Sequence, residues 1–183
     1  MEFNHTILGG GQQVKGVKLE DTYQINLIVG FLLRFPGIFT INYDLQSLSY
    51  CFTFMIREKL STNRYREFCN DMIEIWDSHC YLLKTEPVKV EIRKKYFSGL
   101  TRLDLYFSKD TLSSEEVSLV NSVIEDRFGN KLINDYRRDN LCQFNENGHS
   151  EEDFLEFLLI QSEQKVNTLF AFREAGKVYI LNK

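Results

Sequence analysis

A chain of 183 residues, 43% hydrophobic and 14% aromatic, has material for one buried core, and its 15 Phe and 9 Tyr must supply much of that burial. With 2 Pro, 10 Gly and no low-complexity tract, the composition excludes a disordered or fibrous polymer and leaves little for linkers. The formal net charge of -4 is unevenly spread, at +1 over residues 1–108 and -5 over residues 109–183, the opposite of the balance a generic nucleic-acid binder carries.

Phe3 to Leu8 reads as a first strand, ending at Gly9-Gly10-Gly11. Asp21 with Gln24 resembles a capping box, and Leu27, Ile28, Phe31, Leu32 and Phe35 keep helical spacing until Pro36-Gly37, so a helix is expected over about 21–35. Ile38 to Tyr43 and Leu48 to Ile56 alternate with period two around Asp44-Leu45-Gln46-Ser47, a first hairpin. Its apolar residues Phe39, Ile41, Tyr43, Tyr50, Phe52 and Phe54 are assigned to a core rather than to an RNA-stacking platform, because no basic-Gly-aromatic motif precedes them. That assignment leaves Thr40, Asn42, Ser49, Cys51 and Thr53 outside.

Ser61 or Thr62 caps a second helix running to about Lys84, with Tyr65, Phe68, Met72, Ile75, Trp76, His79 and Leu83 as its apolar stripe. After Pro87, Val88, Val90 and Ile92 alternate with Lys89, Glu91 and Arg93; beyond Ser98-Gly99, Leu103, Leu105 and Phe107 alternate with Arg102, Asp104 and Tyr106. This second hairpin predicts one apolar face under helices and one wet, charged face. Ser113 and Glu116 form a capping box that opens a third helix closing near Gly129. Residues 130–147 suit a short helical continuation and then a polar loop, and Ser150 caps a further helix to about Gln164. A third hairpin, Thr168 to Arg173 and Lys177 to Leu181, closes the series.

The expected fold is therefore α+β, an antiparallel sheet with helices mainly on one face. Its first half has the β-α-β-β-α-β order of ferredoxin-like proteins, extended by further hairpins. One compact domain over 1–183 is the default, with a subdivision into 1–108 and an acidic 109–183 half as the alternative.

No motif selects a chemistry. Residues 9–18 fail the P-loop template, since Val17 follows Gly16, and fail the dinucleotide fingerprint, since Val14 stands where a glycine is needed. His79 and Cys80 are adjacent on a helix and diverge by about 100°, so they cannot grip one ion, and His79 is read as partly buried beside Trp76. His149 with Glu152 and Asp153 reads as capping, and His5 lacks a local partner. Cys51, Cys69, Cys80 and Cys142 form no C-x-x-C pair and are read as reduced thiols. No catalytic residue, metal site or cofactor is expected.

The segment Met1 to His5 lacks the start of a signal peptide, and Leu27 to Leu33 falls far short of the ~20 apolar residues of a membrane span, so a cytoplasmic location is expected. Two surfaces are singled out. Phe170, Phe172, Tyr179 and Leu181 make the third hairpin apolar on its second face, so it is either central in the sheet under two layers or meets another subunit, as in a homodimer or other partner contact. Lys89, Arg93, Lys94, Lys95 and Arg102, with Lys84, give residues 84–102 a net charge of +4 against Glu86 and Glu91, a candidate anion site. The leading expectation is a non-enzymatic module that binds itself or another protein. Nucleic-acid or polyanion binding is the alternative, followed by a small-molecule sensor or enzyme using the glycine loop, His79 or Tyr136.

Overall fold

A computed structural model of the chain describes residues 6–7, 19–86, 88–108, 112–134, 168–174 and 177–182. Within them the chain runs β1 (Thr6–Ile7), α1 (Leu19–Arg34), β2 (Thr40–Asp44), β3 (Ser49–Ile56), α2 (Thr62–Leu83), β4 (Val90–Phe97), β5 (Leu100–Phe107), α3 (Ser114–Phe128), β6 (Thr168–Glu174) and β7 (Lys177–Asn182). A single 3-10 turn, Gly129–Lys131, follows α3. The helix expected over 150–164, the Gly9-Gly10-Gly11 loop, Tyr136, Cys142, His149 and His5 lie outside the described residues.

All seven strands form one antiparallel sheet in the order β1-β7-β6-β2-β3-β5-β4. The α+β class and the β-α-β-β-α-β element order hold. The spatial placement of β1 is unlike a split βαβ unit, because it pairs with β7 at the far edge, Thr6 opposite Ile180 and Ile7 opposite Tyr179.

Local chemistry explains the element ends. Ser113 and Glu116 make the full reciprocal cap of α3, with Ser113 Oγ accepting from the Glu116 amide at 3.1 Å and the Ser113 amide donating to Glu116 Oε2 at 2.7 Å. Ser61 Oγ accepts from the Arg64 amide to start α2, and Lys84 in the left-handed region ends it. Ser98 and Gly99 both have positive φ, 42° and 84°, the two-residue turn whose twist suits the β4–β5 hairpin. Gly37 is packed closely, for a Cβ there would lie 2.8 Å from Leu132 Cδ2 and 3.0 Å from Asn121 Oδ1 and would make those side chains shift. The end of α1 is held from a distance: Arg173 on β6 donates to the Leu32 carbonyl at 2.7 Å and to the Pro36 carbonyl at 2.9 Å.

The side-chain register divides the sheet. Tyr50, Phe52 and Phe54 on β3 face the same side as Phe107, Leu105 and Leu103 on β5, Tyr43 and Ile41 on β2, and Leu169 and Ala171 on β6. This side packs into one continuous core with Ile28, Phe31 and Leu32 of α1, Phe68, Met72 and Trp76 of α2, and Val117, Val120 and Ile124 of α3. Phe52 sits at the centre, its ring 5.7 Å from Phe107 and 5.9 Å from Tyr50. The three described helices thus share one face of the sheet, and none is long and apolar enough to cross a membrane.

Two expectations need correction. The buried stripe of α2 is Phe68, Met72, Trp76 and Cys80, a spacing of four that turns Ile75 and Leu83 out to solvent. The second face of the second hairpin is wet along β4 alone. On β5, Arg102 and Asp104 are buried, as are Thr40, Cys51 and Thr53 beside them, so the sheet's reverse face is closed over its centre rather than solvated.

Candidate functional site

The reverse face joins both surfaces singled out from the sequence. One register row runs across all seven strands: Ile7, Tyr179, Phe172, Thr40, Thr53, Asp104, Arg93. The row beside it runs Leu181, Phe170, Asn42, Cys51, Tyr106, Glu91. The face therefore grades from aromatic at β7 and β6, through small polar groups on β2 and β3, to charge on β5 and β4.

At the aromatic end the structure brings Phe170, Phe172, Tyr179 and Leu181 together. The Phe172 and Tyr179 rings stack 5.2 Å apart, and Phe170 lies 5.8 Å from Phe172. Phe170 is buried and the other three are half-buried.

At the charged end Asp104 is 0% exposed and Arg102 4%, with Arg102 Nε donating to Asp104 Oδ1 at 2.7 Å and Thr53 Oγ1 donating to the same oxygen at 2.7 Å. Asp104 Oδ2 is buried with no hydrogen-bond partner among the described residues. Cys51 and Tyr106 lie across from each other on β3 and β5. Burial foremost, then the charge of Asp104, pushes the Cys51 thiol up to about 12; burial likewise raises the Tyr106 phenol. A thiol held protonated at neutral pH is no nucleophile. In the folded protein, iodoacetamide at pH 8 is expected to leave Cys51 unmodified and to alkylate it after unfolding, as peptide mass spectrometry will read.

The basic cluster divides among three places. Lys89, Arg93 and Lys95 are exposed, Arg93 lying 4.6 Å over the Tyr106 ring and 2.7 Å from Glu91. Lys94 points to the helix side, 4.6 Å over the Tyr65 ring and 3.4 Å from the Leu60 carbonyl. Arg102 is the correction: its guanidinium is spent on Asp104 inside the protein, which removes it from any surface that meets an anion.

The β4 edge is partly closed. The Ser108 amide donates to the Lys89 carbonyl, so odd positions of β4 face β5 and even positions face outward. One outward carbonyl, that of Ile92, accepts from Tyr65 Oη at 2.7 Å. A capped carbonyl and a lysine-rich edge both discourage strand addition.

Among the described residues the most exposed apolar group lies elsewhere, at the C-terminal end of α2. Tyr81, Leu82 and Leu83 are 84%, 77% and 52% exposed. Between α2 and the start of β4 an open cleft of about 280 Å³ is lined by Ile73, Trp76, Asp77, Val88, Lys89 and Val90. His79 is outside that lining; its ring lies 6.2 Å from Trp76, and its buried Nε2 has no hydrogen-bond partner among the described residues. The sequence did hold the signal for this surface. Three consecutive apolar residues on a helix point about 100° apart, so Tyr81, Leu82 and Leu83 cannot all face one core.

Among the described residues no group of three or more His, Cys, Asp or Glu is placed to hold a metal ion. Compared with protein-family models, curated proteins and solved structures, the chain matches none.

Proposed function

We propose that this chain is a non-enzymatic protein-binding module whose partner is a second copy of itself, docked through the C-terminal end of α2. The observation that carries the reading is the exposure of Tyr81, Leu82 and Leu83 at the C-terminal end of α2, the helix whose Ile73 and Trp76 line the cleft. Large apolar side chains left bare together at one helix end favour an interaction surface on a folded protein. A second copy suits the charge pattern. Asp77 and Lys89 both line the cleft, and Lys84 and Glu86 lie between them in sequence, so the locality is balanced rather than of one sign. On this reading Asp77 of one copy meets Lys89 of the other, and two-fold symmetry repeats the pair. The half-buried Phe172, Tyr179 and Leu181 are, on this reading, a secondary apolar surface.

Sedimentation velocity tests it. The native chain is expected to move as a dimer at tens of micromolar, and Leu82→Asp as a monomer with an unchanged circular dichroism spectrum. A native chain that stays strictly monomeric at that concentration rules the reading out.

A further inference from the structure

Folding assembles a second charged surface that no single stretch of sequence contains. It lies at the N-terminal end of α2, which at 22 residues holds it about 33 Å from the apolar group at the other end. Here β3 ends, β4 ends and the 3-10 turn after α3 returns to the sheet through the Ile56–Leu132 bridge. The Arg57 amide donates to the Lys131 carbonyl at 2.8 Å. Glu58 takes Arg64 at 2.8 Å on one carboxylate oxygen and Lys131 on the other. Burial of Glu58 opposes ionisation, yet the hydrogen bonds from Lys131 and Arg64 outweigh it and hold the carboxyl below its usual value. Lys59 Nζ lies 5.2 Å over the Tyr96 ring, and Lys94 Nζ lies 4.6 Å over Tyr65. Arg64 and Lys131 thus meet one carboxylate, Lys59 and Lys94 lie on tyrosine rings at the same end of α2, and Arg57 precedes Glu58 in sequence. The first turn of α2 carries no acidic residue, so the positive end of its dipole adds to the same field.

From this juxtaposition of clustered cations with tyrosine rings, we infer that the α2 N-terminal end binds single-stranded nucleic acid. Charge alone accommodates any polyanion; the rings select among them. Tyr96 is 53% exposed at the tip of the β4–β5 hairpin with a lysine over it, and an exposed ring flanked by cations is what an unpaired base stacks on while its phosphates meet ammonium groups. An acidic peptide brings carboxylates but no flat partner for the ring. The chain's overall charge is -4, and at this end the local balance is reversed.

Fluorescence anisotropy of the full chain with a labelled oligouridylate of about 20 nucleotides tests the assignment. Binding is expected to weaken with salt, with a log–log slope of about -2 to -3.5 for three to five phosphate contacts on a single strand. Lys59→Gln combined with Lys131→Gln is expected to reduce that slope by about 1.4. Tyr96→Ala is expected to weaken binding roughly 5- to 100-fold without changing the slope, the loss of a stacked base. Thermal melts of both variants, altered only at exposed side chains, confirm that the fold is intact. No binding at about 50 mM salt overturns the proposal. So does binding that Tyr96→Ala leaves unchanged, or equal affinity for heparin and for anionic phospholipid vesicles, since either outcome means that charge alone is being read.

Discussion

Replacing Asp104 by Asn is expected to destabilise the protein by about 3–5 kcal/mol, because it strips a buried guanidinium of its carboxylate. Arg102 is 4% exposed and bonds Asp104 at 2.7 Å on the reverse face, so water cannot take over the role of the lost charge. For a chain of this length the loss corresponds to a fall of roughly 6–20 °C in Tm. The paired replacement Arg102→Met with Asp104→Leu removes both charges and is expected to recover most of the loss. Urea unfolding of the native chain and the two variants reads the result. If Asp104→Asn unfolds within about 1 kcal/mol of the native chain, the pair is hydrated and the reverse face is open, contrary to the structure.

Phe52→Ala carries the second large effect, about 3–5 kcal/mol, from lost transfer free energy and the cavity left between Phe107, Tyr50 and Phe31. The same truncation at Tyr96, which is 53% exposed, is expected to stay within about 0.5 kcal/mol. The contrast places the core on the helix side of the sheet. Equal effects at the two positions contradict that placement.

The two ends of α2, one apolar and one cationic, divide the labour proposed for this chain. Leu82→Asp bears on self-association at one end, and Tyr96→Ala bears on nucleic-acid binding at the other, so failure of either leaves the other standing.

Much of this architecture was legible in the residues, for a definite reason. The alternation of Ile38 to Tyr43 and Leu48 to Ile56, the Ser113–Glu116 cap and the Ser98-Gly99 turn are set by neighbours within a few positions, where backbone sterics and hydrogen bonding act whatever the rest of the chain does. The α2 stripe was legible less sharply. A spacing of three or four lets either His79 or Cys80 follow Trp76, and packing against the sheet selected Cys80.

What the sequence determined by itself is the class of fold and the helix-covered face, because period-two and period-3.6 patterns dictate which side chains leave water. What only tertiary structure decided is everything that joins distant segments. Arg173 reaches back 141 positions to the Leu32 carbonyl, and β1 crosses to β7 at the far edge. Arg102 is drawn out of a basic cluster into a buried ion pair, and Glu58 collects Arg64 and Lys131 at one end of α2. Charge and burial at those positions depend on which strands become neighbours, and that choice follows from minimising exposed apolar surface over the whole chain rather than from any local preference.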